Sequence, residues 1–445
     1  MGAVPSNVAR ERTWLGQPPG LAILFLTEMW EKFSFFGMRA LQVYYMTKAL
    51  HFDQARASLV YGAYAACVYL TPIAGGMISD RWLGKRRAVI VGGLLMALGH
   101  FMMASETLFF PAMAVIACGN GLFLPNLPSQ VRPLYAANDA RLAGAYNLYY
   151  MGINLGAFFA PLVCGTLGEL YGWHYGFGAA GIGMLTGLVI YLAGQKYLPS
   201  PRTPATILPE HALESVAGSR RDTFLLLLGV GLAVTVFRGA YEQVGNTVAL
   251  WIEGTNRHVG SAQIPMTWFQ SLNPLLVILL TPVLLARWKR KAGADREHSP
   301  LQKMAIGSLI VGGAYALLAI ASAVEPTRAS WLWVAAYFFV LTLGELYILP
   351  TGLGLFARLA PPKLGATTVA AWYLAIFTGS MTAGLIGSWY SSLPPSFFFL
   401  VLTAVAALAS AILLSLDRRA RSVEEARIAE RSALAAVPEG LAANV

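Results

Sequence analysis

Four charged residues stand in one segment that is otherwise apolar and aromatic, namely Glu28, Glu31, Lys32 and Arg39. Their spacings of three, four and seven residues place them on one face of an α-helix. Two carboxylates three residues apart repel each other, which favours protonation of one of them, whereas the ammonium group of Lys32 favours ionisation. Such a cluster can bind and release a proton while its ion pairs rearrange. The alternative is an intrahelical pair of Glu28 and Lys32 that only neutralises two buried charges.

A second group of ionisable residues lies in two later apolar segments. Arg238 and Glu242 are four residues apart in one of them, and Glu345 lies in the other. An arginine stays charged at any usable pH, so in an apolar environment it needs an anionic partner. Glu242 is one helical turn away from Arg238, which allows a simple structural pair. Glu345 has no cation close to it in the sequence, and this favours a functional role for that carboxylate.

Amide side chains occupy two further apolar segments, at Asn154 and Asn273. An amide can bind the polar groups of a ligand, but amides also connect neighbouring membrane helices by hydrogen bonds. Both interpretations remain open for these two residues.

All these polar residues need long apolar elements to hold them away from water, and the composition of the chain supplies them. Of the 445 residues, 56% are hydrophobic and 12% are charged, and the mean hydropathy is +0.57. A soluble fold cannot bury that much apolar surface. Apolar runs of roughly 20 residues, the length that crosses a hydrocarbon core of about 30 Å, recur along the whole sequence. We therefore expect an all-α membrane protein.

The pattern predicts twelve transmembrane helices in two six-helix bundles. A linker rich in proline and arginine separates the bundles, because such a segment breaks helices and stays in water. The predicted parts are an N-terminal tail at 1–19, a first bundle at 20–194, the linker at 195–221, a second bundle at 222–416 and a C-terminal tail at 417–445. The predicted helices cover 20–50, 57–79, 88–105, 107–128, 142–170, 174–194, 222–254, 264–288, 304–323, 330–358, 363–390 and 394–416, and they are numbered 1 to 12 below.

The basic residues indicate how the helices are oriented. The net charge is +10, and most of it collects in the loops after helices 2, 4, 8 and 10, in the linker and in the C-terminal tail. The opposite loops keep little beyond Arg56, Arg257 and Arg328. The positive-inside rule therefore predicts that both termini are cytoplasmic. This placement explains the basic composition without a nucleic-acid partner.

Other classes of function receive no support from the sequence. The first residues lack the short apolar core and cleavage site of a signal peptide. The three cysteines fall in apolar segments, where cysteine behaves as a small hydrophobic residue. The six histidines lack metal-ligand spacing, and no nucleophile elbow or phosphate loop occurs. We expect neither an enzyme nor a bound metal or cofactor.

Several motifs together resemble one known family. The segment from Glu28 to Arg39 resembles Glu-x-x-Glu-Arg-Phe-x-Tyr-Tyr-Gly, the first-helix signature of the proton-dependent oligopeptide transporters. The segment from Gly75 to Arg87 looks like the major facilitator loop between helices 2 and 3. Further segments similar to family motifs, which extend the resemblance over essentially the whole chain, are 150–158, 172–178, 241–243, 269–274 and 344–346.

The resemblance implies the major facilitator fold and proton-driven uptake of di- and tripeptides by alternating access. It further implies a multi-pass protein of the inner membrane, which we expect to be a monomer in the lipid bilayer with peptides and protons as its only partners. The implied roles are proton coupling by Glu28, Glu31, Lys32 and Glu242; substrate binding by Arg39, Asn154, Asn273, Glu345 and Trp372; and a cytoplasmic gate loop with Asp80, Arg81 and Arg86. We further expect Tyr69 and Arg238 among the substrate-binding residues.

The sequence also departs from the family pattern. Lys32 replaces the signature arginine, Phe35 and Phe36 replace two tyrosines, and Leu124 stands where the family usually has a lysine. In the family, that lysine supplies positive charge near the substrate and pairs with the glutamate of helix 10. Arg238 stands at a position that is usually aromatic.

The missing lysine points to a role for Arg238. We favour Arg238 as a relocated positive centre that balances Glu345 or holds the substrate carboxylate, over the intrahelical pair with Glu242. The altered site also leaves a second function open, namely an exporter or exchanger of amino acids, drugs or other small anions with the same fold.

Overall fold

The computed structural model describes residues 13–136, 139–199, 217–292, 298–359 and 365–435. Most of the predicted N-terminal tail and linker, and the end of the C-terminal tail, lie outside these residues. The described part is almost entirely helical, as the sequence predicts, and its only strands are His258–Val259 and Ala262–Gln263.

The described residues form twelve long helical segments, which keep the numbering introduced above. Helices 1 to 6 are Pro19–Lys48, Gln54–Leu83, Lys85–Met102, Phe109–Phe123, Leu142–Leu170 and Trp173–Ala193. Helices 7 to 12 begin with Ala217–Tyr241 and continue with Leu272–Ala292, Pro300–Val324, Trp331–Leu359, Gly365–Gly387 and Pro395–Ala435.

Three of these helices change their winding along their length. Helix 2 ends in a π-helical turn at Ser79–Leu83, and helix 5 contains another at Pro161–Gly165, where the proline removes a backbone donor. Helix 7 tightens into a 3₁₀ turn at Glu242–Gly245 and resumes at Thr247–Glu253. Irregular turns of this kind within helices often occur at functional sites, and the turn in helix 7 begins at a predicted site residue.

Ten helical segments in the described chain are long and apolar enough to cross a membrane. Helices 1 and 3 are not among them. Helix 1 carries the charged cluster, and helix 3 begins with Lys85, Arg86 and Arg87. The charged residues that make helix 1 less apolar than the other spans are the same ones that the sequence predicts as a functional site.

Helices 7 and 12 differ from their predicted bounds. Helix 7 begins at Ala217, inside the predicted linker. Helix 12 does not end at 416 but continues to Ala435, because its extension consists mainly of strong helix formers without glycine or proline. Asp417 anchors this extension: its carboxylate accepts a hydrogen bond from Ser299 and another, of 3.1 Å, from Gln302 at the start of helix 9.

The chain folds into two compact units. The first comprises Met1–Phe52, Cys67–Ile207 and His258–Ile278, and the second comprises Asp53–Ala66, Leu208–Arg257 and Leu279–Val445. Each unit therefore consists mainly of one predicted bundle, together with one segment from the other. The exchanged segments are the beginning of helix 2 and the beginning of helix 8.

Helix 1 lies at the centre of the first unit, between helices 5 and 6. Gly152 and Gly156 form a Gly-x-x-x-Gly face on helix 5 that allows the close approach. A side chain on Gly152 would meet the ring of Phe25 at 2.9 Å, and one on Gly156 would overlap the carbonyl oxygen of Met29. The two contacts lie on either side of Glu28 in the sequence of helix 1.

Candidate functional site

Three of the four charged residues that the sequence places on one face of helix 1 form a compact cluster, namely Glu28, Glu31 and Lys32. The Lys32 Nζ atom lies 3.4 Å from Glu28 Oε1 and 2.6 Å from Glu31 Oε2. Glu28 is 3% exposed and Glu31 is fully buried. One ammonium group therefore faces two carboxylates, which gives a charge of −1 when both carboxylates are ionised. The cluster becomes neutral when it holds one proton, and neutrality is strongly favoured away from water.

The two carboxylates of this cluster have different surroundings. The Tyr149 hydroxyl group on helix 5 donates a hydrogen bond of 2.7 Å to Glu28 Oε2. Neither oxygen of Glu31 accepts a hydrogen bond of normal geometry from the described part of the chain. Glu31 is therefore stabilised mainly by the ionic contact with Lys32.

Tyr149 is a site residue that sequence reasoning did not identify. A tyrosine deep in a membrane helix needs a hydrogen-bond partner for its hydroxyl group, and this requirement is the signal that could have found it. The identity of the partner depends on how helices 1 and 5 cross, which the sequence of either helix alone does not give.

The second cluster lies on helix 7. Arg238 and Glu242 form a salt bridge, and they are 4% and 1% exposed. The guanidinium carbon of Arg238 also lies 5.6 Å from the centre of the Tyr241 ring, within the range of a cation–π interaction. The structure therefore contains the intrahelical pair, which is the arrangement that the sequence favours less.

Glu345 on helix 10 is close to this pair through Tyr241. The carboxylate of Glu345 is 8% exposed and forms a hydrogen bond with the Tyr241 hydroxyl group. The backbone of helix 7 is fixed next to Tyr241, because the Tyr315 hydroxyl group donates to the carbonyl oxygen of Ala240 at 2.6 Å. A buried arginine, two carboxylates and a tyrosine hydroxyl group thus share one region of the second unit.

The remaining predicted substrate residues have varied surroundings. Asn154 is buried, and its amide donates to the carbonyl oxygen of Tyr150, one turn earlier, at 2.9 Å. Trp372 on helix 11 is buried, and its ring packs against helix 10 at Gly352, where a Cβ atom would lie 2.5 Å from the ring. The half-buried members of this group are Arg39, Tyr69 and Asn273.

Two of the three predicted gate residues lie in the π-helical turn that ends helix 2, and Arg86 lies in the first turn of helix 3. Asp80 and Arg81, in the π-helical turn, are exposed. Arg86 has a different environment: its Nη2 atom donates to the carbonyl oxygens of Gln195, Leu198 and Pro199, at 3.2, 2.7 and 2.5 Å. Arg86 therefore connects the start of helix 3 to the segment that follows helix 6.

The helix ends opposite the predicted cytoplasmic loops, called the outer ends below, carry contacts between the two predicted bundles. In the first unit, Glu169 at the end of helix 5 accepts hydrogen bonds from the backbone of Met266 at 2.9 Å and of Thr267 at 2.8 Å. The Thr267 hydroxyl group donates to the same carboxylate at 2.6 Å. Glu169 therefore satisfies the free amide groups at the start of the 3₁₀ segment Met266–Ser271, which leads into helix 8, as a helix cap does.

In the second unit, the outer end of helix 2 contacts helices 7 and 11. Ser58 donates to Asn246 at 2.9 Å, and Gln54 donates to the carbonyl oxygen of Gly387 at 2.8 Å. Gly62 and Gly384 let the backbones approach so closely that a Cβ atom on Gly62 would lie 2.5 Å from Gly384 Cα.

Comparisons with known proteins agree on one family. A model described as the POT family matches residues 86–223 and 218–397 of the chain. The chain is 33% identical to the peptide transporter YePEPT of Yersinia enterocolitica, over 86% of this chain and 90% of that protein. It is 29% identical to a di-/tripeptide transporter of Lactococcus lactis subsp. cremoris, over 92% and 97% of the two chains. Among solved structures, a mutant of peptide transporter POT in complex with alafosfalin has a TM-score of 0.83 and 30% identity, and the match covers 93% of this chain and 97% of that one.

These matches confirm the resemblance carried by the motifs. The family model covers well over half of the chain, and the structural match extends over both units. The fold is that of the major facilitator transporters, as the sequence predicts. The chain is therefore a multi-pass membrane protein of the POT family.

Proposed function

We propose that this protein is a proton-coupled symporter that carries di- and tripeptides, or peptide-like solutes, into the cell across the inner membrane. The observation that carries the proposal is the buried cluster of two carboxylates and one lysine on helix 1. The family supports peptides as the substrate class, because relatives of similar length include a peptide transporter and a di-/tripeptide transporter.

The proton would bind to the helix 1 cluster. The bare cluster has one negative charge in excess, and a charge at mid-membrane costs at least about 2.5–3.5 kcal/mol on insertion scales. Loading of one proton removes this charge, so the loaded cluster can pass through a state that is closed to water. Glu28, Glu31 and Lys32 would thus act as one unit, which changes its ion pairs when the proton enters or leaves.

The substrate would bind to the charged groups of the second unit. Glu345 is suited to the amino group of a peptide, because it is a buried carboxylate that lies beside the Tyr241 hydroxyl group. Arg238 is suited to the peptide carboxylate, because protonation of Glu242 would remove the negative charge that the guanidinium group faces across their salt bridge. Glu242 would in this way link a second protonation to substrate binding. We assign supporting contacts with the peptide to Arg39, Tyr69, Asn154, Asn273 and Trp372.

Alternating access would depend on the contacts at the helix ends. The hydrogen bonds of Glu169 and Ser58 connect the two predicted bundles at the outer ends, and they would have to break when the protein opens outward. Asp80 and Arg81 would form the corresponding contacts on the cytoplasmic side, while Arg86 holds the segment that follows helix 6. We expect a monomer to be sufficient for this cycle.

A second function is an exporter or exchanger of amino acids, drugs or other small anions. It is favoured by one observation: Leu124 replaces the usual lysine of helix 4, and Arg238 is already paired with Glu242. A site with less free positive charge binds a peptide carboxylate less readily. The exchanger predicts substrate movement without net proton movement.

Uptake by proteoliposomes tests the proposed function. Labelled dialanine should accumulate above its external concentration when the outside is more acidic than the inside, and the accumulation should collapse with a protonophore. Dialanine exchange that is insensitive to the pH gradient would favour the exchanger instead. A vesicle without protein serves as the control for leakage.

A further inference from the structure

We infer that Tyr149 is a positioning residue of the proton site: its hydroxyl group holds Glu28 in the ionised state and thereby leaves the transported proton to Glu31. This inference rests on the proposed proton coupling of the helix 1 cluster. It assigns different roles to Glu28 and Glu31, which the sequence alone does not distinguish.

The two carboxylates differ in their number of partners. Glu28 has two: Lys32 Nζ at 3.4 Å from one oxygen and the Tyr149 hydroxyl group at 2.7 Å from the other. Glu31 has Lys32 Nζ at 2.6 Å but no normal hydrogen bond within the described residues. A hydrogen bond to a carboxylate stabilises its ionised form. Lys32 lies closer to Glu31 than to Glu28, so the hydrogen bond from Tyr149 is the interaction that favours ionised Glu28 and leaves the neutralising proton to Glu31.

Helix 5 is held firmly against helix 1. Gly152 and Gly156 allow contact with the backbone of helix 1 near Phe25 and Met29. Tyr149 lies about one turn before Gly152 on the same helix, and it is 6% exposed. Its hydroxyl group is therefore held at Glu28 by the packing of the two helices.

The surroundings of the cluster contain few other titratable groups. Tyr146, one turn before Tyr149, is the further tyrosine near it on helix 5. On the other side, helix 6 presents Gly183 and Gly187 to helix 1 next to Trp30. In the part of the chain that the structure describes, the charged groups acting on Glu31 are Lys32 and Glu28. Among these groups, Tyr149 and Lys32 are the donors that decide which carboxylate stays ionised.

An infrared pH titration of the buried carboxyl groups tests this inference without a substrate. The purified protein is titrated in nanodiscs, and Glu31→Gln identifies the band of the protonated carboxyl group. Tyr149→Phe keeps the ring and removes only the donor, so Glu28 loses stabilisation as an anion and the cluster binds its proton more tightly. A hydrogen bond to a charged group corresponds to a shift of about one to two pH units, and we expect the midpoint to rise by that amount.

Two further variants make the result specific. Tyr146→Phe, on the same helix but 44% exposed, should titrate as the wild type does. In a Glu28→Gln background, Tyr149→Phe should cause no further shift, because the anion that the hydroxyl group stabilises is absent. A Tyr149→Phe midpoint equal to that of the wild type, or a carboxyl band that survives Glu31→Gln, overturns the inference. Failure of the proposed function has a different result, namely wild-type vesicles that take up dialanine without any response to a pH gradient.

Discussion

A variant without the positive charge of Arg238 tests whether this arginine binds the substrate or only stabilises the structure. Arg238 and Glu242 are almost completely buried as a pair. Removing one partner of such a pair costs about 3–5 kcal/mol, because the other charge remains buried without compensation. Arg238→Ala alone should therefore lower the thermal stability strongly. The double variant Arg238→Ala with Glu242→Gln leaves no unpaired charge, so it should unfold close to the wild-type temperature and is the correct background for binding measurements.

Binding of dialanine to this double variant measures how much Arg238 contributes to the substrate affinity. Charged hydrogen bonds contribute about 1.5–3 kcal/mol, which corresponds to a loss of affinity of about 10- to 150-fold. Dialanine with its C-terminal carboxylate replaced by an amide should lose little affinity, and it serves as the matched ligand control. Isothermal titration calorimetry at a fixed pH measures both ligands.

The same variants show which result refutes the reasoning. Equal dialanine affinity in the wild type and the double variant would leave Arg238 with a structural role only. Addition of Leu124→Lys to the double variant should restore part of the lost affinity, because it returns a positive charge to the position where related proteins usually carry one. A lysine that restores nothing would contradict the relocation of the positive centre from helix 4 to helix 7.

Three further predictions concern other parts of the molecule. Glu28→Gln or Glu31→Gln should leave folding intact but abolish proton-driven accumulation of dialanine, since the remaining carboxylate and the lysine are neutral together without a proton; undiminished uphill uptake in either variant refutes the coupling. Glu345→Ala should weaken binding of dialanine much more than binding of N-acetyl-dialanine, measured by calorimetry, and equal losses would exclude a contact with the amino group. Glu169→Ala removes three hydrogen bonds from Met266 and Thr267, just before helix 8. In a variant whose native cysteines are replaced, Ser271→Cys should therefore react several-fold faster with an impermeant thiol reagent added outside. The exposed control Trp389→Cys should label at the same rate with and without Glu169→Ala, and an unchanged rate at position 271 would show that Glu169 does not hold the outer end closed.

Much of the fold follows from the sequence for simple physical reasons. Membrane helices are recognised by length and apolar composition, and a helical period places Glu28, Glu31 and Lys32 on one face. The close contact of these three residues was therefore predictable. The contact that anchors the extension of helix 12 was not, because it joins Asp417 to the start of helix 9, and these residues are far apart in the chain.

The site was predictable only in part. The sequence contains both candidate partners of Arg238, and the choice between Glu242 and Glu345 depends on side-chain geometry and on the distance between helices 7 and 10. Tyr149 was missed for a similar reason, since its hydrogen bond to Glu28 joins two helices. Local spacing thus identifies groups on one helix, whereas partners on different helices require the packed structure.

The most direct test of the proposed function is proton movement during transport. Proteoliposomes that contain the purified protein and a trapped pH-sensitive dye are given dialanine on the outside, without an initial pH gradient and with the membrane potential negative inside. Symport predicts that the lumen acidifies when dialanine is added, and that Glu31→Gln abolishes the signal. Dialanine uptake by the wild type with no change in luminal pH would contradict the proposal that this protein moves peptides together with protons.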